Sequence, residues 1–455
     1  MRQPNTLARC VNRLTFAPTH RLSGMTFEQM AALGVLAAVV FGLVQGRLRS
    51  DVVALTGAAV LLVTGVVRPV EVQEAFASPA IVALASLFVL AYAIELSGFL
   101  GLLIRMGARL CARIGAAGLW LVIGLCGGAS AFLNNTPIVV LAAPVVKDVA
   151  GSLKLDPKRF LIPLSYVTIM GGACTLIGTS TNLLVNDMAR SAGQPVFGMF
   201  EITPVGLVIA LVGGLYLYFL GGRLLAPASD AAKPAPNRVQ TGDGQLGDLK
   251  LFRVDKPLDR RKAILSVGVF VAVVATAAMG WAPIAAAAFA GAVLLILVGV
   301  ITPDEAYAGL RPEVLLLIAG MVVVGLSIEL TGLAASGASA LIEVIRPLGP
   351  LGALIILYGV TLCATELLSN AAVAVLLTPI AVALAESLGV DPRPFLVAIM
   401  MAASAAFATP FGYQTNVLVY ETGGYTYVDF LRIGVPLNLI SWVAGALAIP
   451  VFFPF

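Results

Sequence analysis

The sequence predicts an all-α polytopic membrane protein: inverted five-helix repeats, each with a re-entrant hairpin and a broken helix. Three observations carry that prediction. Of 455 residues, 59% are hydrophobic and only 11% charged, against roughly 25% charged in a soluble domain. Six apolar runs crowd each half of the chain. Polar landmarks in the first half recur in the second at a spacing held to 234 or 235 residues.

The composition excludes most alternatives. A soluble globule of this length needs more charge to cover its surface, and a disordered or nucleic-acid-binding chain more still. The mean hydropathy of +0.99 agrees, and 46 Gly suit membrane helices, where Gly is common. Cys10, Cys111, Cys126, Cys174 and Cys363 show no paired spacing, so they read as small packing residues rather than metal ligands or disulfides. The one histidine, His20, lies outside every apolar run, which excludes a His-ligated metal or a His-based triad in the spans. No nucleophile–base set lies there either, so an enzyme is not expected.

A spanning helix needs about 20 apolar residues. The first-half runs are Met30–Gln45, Val52–Val67, Ile81–Gly98, Gly118–Leu133, Phe160–Gly172 with Leu183–Val185 beyond it, and Pro204–Gly222. The second-half runs are Ala263–Met279, Pro283–Ile301, Val314–Leu330, Leu351–Leu368, Phe395–Ala408 and Gly434–Pro450. Between them, residues 223–262 hold Pro-Ala-Pro, Gly-Asp-Gly and nine Lys/Arg, and read as an exposed linker. The chain thus divides into a tail (1–28), a first repeat (29–222), the linker (223–262) and a second repeat (263–455).

The halves match in detail. Gly65-Val66…Pro69…Glu71 recurs as Gly299-Val300…Pro303…Glu305, 234 residues on. Ile94-Glu95-Leu96-Ser97-Gly98 recurs as Ile328-Glu329-Leu330-Thr331-Gly332 at the same spacing. Asn135 pairs with Asn370, Pro144 with Pro379 and Asp156-Pro157 with Asp391-Pro392, each 235 apart.

Lys and Arg gather on the cytoplasmic side, so the nine-charge linker is placed inside. With Gly118–Val146 taken as a re-entrant hairpin, each repeat crosses five times and the two are inverted. Arg47, Arg49, Arg105, Arg109, Arg113, Lys147, Lys154, Lys158, Arg159, Arg311 and Arg432 then join the linker inside; outside fall Arg68, Arg190, Arg346 and Arg393. The tail's Arg2, Arg9, Arg13 and Arg21 also fall outside and break the rule. Synthesis starting at Met25 would remove them, a hypothesis that an N-terminal sequence of native protein beginning at Met1 contradicts. The tail lacks the apolar core of a signal peptide.

Four polar clusters interrupt the apolar runs: Leu133–Pro137, Gly171–Asn182, Glu366–Ala371 and Thr409–Asn416, the last two being repeat mates of the first two. Irregular backbone at membrane depth is tolerated only in contact with protein or lining a wet cavity. Gly and Pro permit unwinding, while Asn, Ser and Thr supply the oxygens a hard monovalent cation needs. A hairpin tip also opens a new helix, whose N-terminus offers free N–H groups and positive dipole to an anion. No basic residue lies in any cluster. Inverted repeats with broken helices at their interface are the pattern of secondary transporters.

Gly-Gly-Ala-Cys-Thr-Leu-Ile-Gly-Thr-Ser-Thr-Asn (171–182), the Asn-Asn-Thr tip (134–136), and Ser-Asn-Ala (369–371) followed by Thr-Pro-Phe-Gly-Tyr-Gln-Thr-Asn (409–416) resemble the divalent anion:sodium symporter (DASS) family, in its citrate-transporter-like superfamily. The resemblance runs from about Met30 to Phe455 and is closest to sodium/sulfate-symporter-like bacterial permeases. It implies a homodimer in the bacterial-type inner membrane, working as an elevator that moves a transport domain against a scaffold. Na+ is the transported coupling ion and a small dicarboxylate or sulfate the cargo. The resemblance assigns substrate contacts to Asn135, Thr136, Thr179, Ser369, Asn370, Thr409 and Pro410. It assigns sodium ligands to Asn134, Asn135, Gly178, Ser180 and Asn182 in one half, and to Ser369, Asn370, Gly412, Thr415 and Asn416 in the other.

Two positions depart from the family's Ser-Asn-Thr tips. Asn134 replaces Ser, and Ala371 replaces Thr and removes a hydroxyl. The second change favours a smaller or tetrahedral anion such as sulfate. Relatives with other couplings keep a proton-coupled carrier or anion exchanger open. An anion channel would show rings of charge or a continuous polar stripe; a sensor would carry a soluble output domain. Arg105, Arg109 and Arg113 share one helix face, readable as an interfacial arm or as a plain basic loop. Glu95 and Glu329 are either functional or simply interfacial. Glu366, whose mate is Ala131, either adds charge to the second cation site or carries a proton.

Overall fold

The computed structural model describes residues 26–45, 48–102, 106, 115–221, 224–225, 258–333, 348–410 and 412–455. The expected arm helix around Arg105, Arg109 and Arg113, the tail's arginines and most of the linker lie outside them. The described residues form helices in two sets of nine. In the first half these are α1 (Phe27–Gln45), α2 (Ser50–Val63), α3 (Pro69–Phe76), α4 (Pro79–Leu96), α5 (Ala116–Ser130), α6 (Asn135–Ser152), α7 (Lys158–Ala173), α8 (Ser180–Ser191) and α9 (Thr203–Tyr216), the last continuing as a π-turn over Leu217–Gly221. The second half repeats the order: α10 (Arg260–Ala278), α11 (Ile284–Leu297), α12 (Pro303–Gly309), α13 (Pro312–Leu330), α14 (Gly349–Thr365), α15 (Asn370–Leu388), α16 (Arg393–Ser404), α17 (Gln414–Gly423) and α18 (Tyr427–Phe452).

Local chemistry explains the repeated motifs. Gly65 and Gly299 take φ of +75° and +71° where α2 and α11 end, a conformation that suits glycine. Pro69 and Pro303 then open α3 and α12, where the missing N–H costs nothing. Glu71 and Glu305 reach back to accept the amides of Arg68 (2.7 Å) and Thr302 (2.9 Å). Asp156 and Asp391 stand just before α7 and α16, each accepting the amide two residues on at 2.9 Å. Gly98 and Gly332 close α4 and α13 at φ +73° and +71°. Glu95 and Glu329 therefore sit in each final turn, Glu329 exposed.

Packing between the halves is reciprocal. Helix α2 lies on α13, and its counterpart α11 lies on α4. The same exchange relates α3–α13 to α12–α4, α8–α15 to α17–α6, and α16–α8 to α7–α17. Helices α9 and α18, each other's counterparts, pack together. Contacts that swap partners in this way define a two-fold relation between the halves.

Two bundles result. Helices α1–α4 pack with α10–α13, and α5–α9 pack with α14–α18. They meet through α4 against α8 and α13 against α15. At that seam Gly325 lets α13 approach closely: a Cβ there would stand 2.6 Å from the Met188 Cε and 2.9 Å from the Val375 Cγ1. Among the described residues, six helices are long and apolar enough to cross a membrane by length and composition, so the chain is a multi-pass membrane protein. Helix α5 is not among them. Its 15 residues reach about 22 Å at 1.5 Å each, short of the roughly 30 Å of hydrocarbon.

Candidate functional site

The four polar clusters all lie in the second bundle, at interrupted helices. In the first tip, α5 ends at Ser130 and α6 opens at Asn135. The Ser130 hydroxyl donates to the Asn135 Oδ1. In the second, α14 ends at Thr365 and α15 opens at Asn370. The Thr365 hydroxyl sits between the Asn370 Oδ1 (2.8 Å) and the Ala403 carbonyl (2.7 Å). The two tips thus share one device: a hydroxyl on the last turn of the incoming helix fixes the amide oxygen of the asparagine opening the outgoing one. Asn134 and Ser369 are the N-caps, accepting from the amides of Thr136 (3.2 Å) and Ala372 (3.4 Å).

The broken helices are tied with equal symmetry. Helix α7 ends at Ala173 and α8 begins at Ser180; α16 ends at Ser404 and α17 begins at Gln414. The Thr175 Oγ1 and Thr409 Oγ1 each accept an amide, from Gly178 and Gly412, at 3.1 Å. Asn182 donates to the carbonyls of Thr175 (2.9 Å) and Ala173 (3.4 Å), and Asn416 to those of Ala406 (2.8 Å) and Thr409 (3.3 Å). Their side chains thus brace the unwound backbone. The Asn416 Oδ1 also meets the Ser165 hydroxyl at 2.7 Å, and Ser165 lies 2.8 Å from the Thr415 Oγ1. The counterpart of Ser165 is Met400, and the Asn182 Oδ1 is buried without a partner.

Oxygen atoms converge beside the first tip. A Cβ on Gly178 would stand 2.4 Å from the Gly172 carbonyl oxygen, 2.8 Å from that of Ala131 and 2.9 Å from that of Ser130. A Cβ on Gly172 would meet the Asn135 Oδ1 at 2.7 Å, and the Asn135 Nδ2 and the Gly178 carbonyl oxygen at 3.2 Å each. A Cβ fits at neither position, so glycine is what lets these backbone oxygens crowd together beside the Asn135 side chain. The space beside Gly412 differs: a Cβ there would face the Ala406 Cβ at 2.9 Å, the Thr409 Oγ1 at 3.1 Å and the Glu366 Oε2 at 3.3 Å. Glu366 accepts from the Ala408 amide (2.7 Å), the Thr409 amide (2.9 Å) and the Asn438 Nδ2 (2.7 Å). The carboxylate therefore joins the second tip to the unwound segment and to α18.

The halves also touch across the two-fold relation. The Asn135 Nδ2 donates to the Tyr413 hydroxyl at 2.8 Å, and the Thr136 hydroxyl to the Gln414 Oε1 at 3.1 Å. Thr179 is hydrogen-bonded to Tyr413 as well. Thr179 and Tyr413 are the N-caps of α8 and α17 and stand 234 residues apart. Counterparts that touch lie on the two-fold axis, so the axis passes here. Neither end has a side-chain cap, which leaves N–H groups and positive dipole free for an anion.

The sequence-expected residues are distributed unevenly over this geometry. Asn135, Thr136 and Thr179 join the cross-repeat network. Gly178 lies among the crowded backbone oxygens, and Ser180 opens α8. Thr409 and Pro410 belong to the second unwound loop, where Thr409 serves the loop's own backbone. The counterparts of Thr179 and Ser180 at the axis are Tyr413 and Gln414, absent from the expected set. Ser130, Thr365, Thr175, Ser165 and Asn438 were also missed. The 234-residue spacing pointed to Tyr413 and Gln414, because it maps Thr179-Ser180 directly onto them.

Removing a brace leaves buried carbonyls unpaired, at about 1–3 kcal/mol for each group. Asn416→Ala also removes one of the two partners of the Ser165 hydroxyl, whereas Asn182→Ala takes a partner from no further side chain. Asn416→Ala is therefore expected to lower the thermal midpoint of the purified protein more than Asn182→Ala does. Equal losses contradict this account of the loops.

The chain resembles known transporters over most of its length. It is 27% identical to an uncharacterised transporter of Synechocystis sp., with 91% of this chain and 96% of that protein covered. It is 25% identical to a sodium-dependent dicarboxylate transporter of Staphylococcus saprophyticus, over 86% of this chain and 80% of that one. Sodium/sulfate cotransporter 1 of Chlamydomonas reinhardtii is 38% identical over 34% of this chain and 18% of its own length. The crystal structure of the Alcanivorax borkumensis YdaH transporter shares the fold, with a TM-score of 0.61, 15% identity, and 84% of this chain and 86% of that one covered. Residues 36–389 match the family described as citrate transporter. The chain belongs to the citrate transporter family, and is a membrane transporter rather than an enzyme.

Proposed function

We propose that the chain is a secondary active transporter that uses a sodium gradient to carry a small divalent anion, a dicarboxylate or sulfate, across the bacterial-type inner membrane. The observation that carries this reading is the cluster of oxygens crowded around Gly172 and Gly178, set beside two uncapped helix N-termini that meet at the two-fold axis. Neutral amide, hydroxyl and carbonyl oxygens suit a hard monovalent cation. Helix N-termini suit an anion without any Lys or Arg.

Asn135 belongs to both surroundings. Its amide oxygen borders the oxygen cluster proposed for the cation, and its amide nitrogen enters the network at the axis. Sodium bound at the oxygen end orders the tip that completes the anion site. Each ligand then strengthens the other's binding by the same factor, as linkage requires.

An elevator motion is supported by the division into two bundles, with the close seam at Gly325 between them. Inversion of the repeats is supported by the Lys/Arg placement together with the two-fold contacts. The DASS resemblance adds a homodimer. Proton coupling is the second reading. Glu366 favours it, because a carboxylate beside Gly412 makes the second half's ion surroundings unlike the first.

Uptake into proteoliposomes tests the reading. Uptake of sulfate or succinate is expected to be at least tenfold faster with sodium outside than with potassium. Asn135→Ala and Asn370→Ala are each expected to remove most of that sodium-driven component. Equal uptake in both salts contradicts sodium coupling, and uptake driven by an inward proton gradient instead selects the second reading.

A further inference from the structure

We propose that Glu366 is a positioning residue: its carboxylate holds the second tip, residues 408–409 and α18 together as a standing unit, so that sodium orders the first tip alone. The proposal rests on the sodium-coupled reading above and gives the two tips different parts in it.

The tips meet their unwound loops at the same register but with different chemistry. Position 131 meets position 175 in the first half, and their counterparts 366 and 409 meet in the second. The first link is neutral: the Thr175 hydroxyl donates to the Ala131 carbonyl. In the second, the Glu366 carboxylate accepts two backbone amides, Ala408 on Oε1 at 2.7 Å and Thr409 on Oε2 at 2.9 Å. Hydrogen bonds to a charged acceptor are roughly twice as strong as neutral ones.

The neighbouring helices differ in the same direction. Asn438 of α18 donates to the Glu366 Oε1 at 2.7 Å, which ties that helix to the tip itself. On the first side α9 reaches the loop instead, through the Thr203 hydroxyl on the Cys174 carbonyl at 2.7 Å. The first tip meets the segment before α9 through an apolar contact, Phe132 edge-on to Phe200. Its other hydrogen bonds run across the two-fold axis, from Asn135 to Tyr413 and from Thr136 to Gln414. These are neutral groups of the proposed ion site, so an arriving ligand competes for them. The three donors on Glu366 lie outside that axis network.

The arrangement needs a carboxylate. A carboxylate accepts at both oxygens, whereas a carboxamide accepts at one end and donates at the other. Glu366→Gln therefore turns an NH2 group onto the Ala408 amide or the Thr409 amide, whichever way it lies.

The test uses the full-length protein, purified in detergent, with a cysteine at one of two half-buried counterpart positions: Leu133→Cys in the first tip or Leu368→Cys in the second. Modification by a small methanethiosulfonate reagent is followed at that residue by mass spectrometry, in sodium and in choline at equal ionic strength. Sodium is expected to slow modification of Leu133→Cys tenfold or more, and to change that of Leu368→Cys less than twofold. Adding Glu366→Gln is expected to speed modification of Leu368→Cys in choline at least fivefold and to make it sodium-dependent, with Leu133→Cys unaffected. Asn438→Leu carries the test if Glu366→Gln does not fold. It removes one bond and strands no acceptor, because the Asn438 Oδ1 has no hydrogen-bond partner, and is expected to act in the same direction by about threefold. Slowing of both tips alike by sodium, or of neither, overturns the proposal, while sodium-driven uptake keeps the coupled reading standing. Unaltered modification of Leu368→Cys in the folded clamp variants overturns it too. Uptake indifferent to sodium overturns both.

Discussion

A helix that stops at membrane depth leaves carbonyl and amide groups with no water to receive them, and the rest of this structure follows from how they are satisfied. Four helices stop in this way in the second bundle. Each end is closed from within: by Ser130 or Thr365 at the tips, and by Thr175 with Asn182 or Thr409 with Asn416 at the unwound loops. In hydrocarbon such groups must find internal partners. Here those partners use part of the freed polarity and leave the rest directed at the axis. The proposed cation and anion sites draw on the oxygens and the N–H groups that remain.

The two-fold relation makes the halves similar, and the departures from it differentiate them. Ser165 supports Asn416, while its counterpart Met400 has no polar atom to offer Asn182. Glu366 clamps the second tip to residues 408–409 and to Asn438, while its counterpart is Ala131. Tyr413 and Gln414 stand opposite Thr179 and Ser180. The first half's unwound loop therefore packs among neutral oxygens, and the second half's beside a carboxylate. The larger side chains of the second half close over the tip of the first. Duplication built the frame, and substitution at a few positions gave each half its own task.

Much of the fold was legible in the sequence. The repeats showed because helix ends rely on few residue types: glycine at positive φ, proline at the first helical position, and glutamate reaching back three residues. Gly65, Pro69 and Glu71 therefore recur as Gly299, Pro303 and Glu305. The tips were legible for the same reason, since Asn134 and Ser369 are N-caps immediately before apolar helices. The cross-repeat contacts were not. Asn135 meets Tyr413 across 278 residues, and a hydrogen bond between distant segments leaves no local pattern. The polar residues Ser130, Thr365 and Asn438 lie inside apolar helices, where a single hydroxyl or amide does not disturb periodicity. The two-fold relation also brings Tyr413 and Gln414 to the axis beside Thr179, which the family resemblance did not name.

The central claim is that one asparagine-centred tip serves cation and anion together, so that neither binds at full strength alone. The most direct measurement is equilibrium binding of sulfate to purified protein, by scintillation proximity or calorimetry, in sodium and in choline at equal ionic strength. The account predicts that sodium tightens sulfate binding by a factor of ten or more, and that sulfate tightens sodium binding by the same factor. Sulfate binding of equal strength in sodium and choline would contradict it.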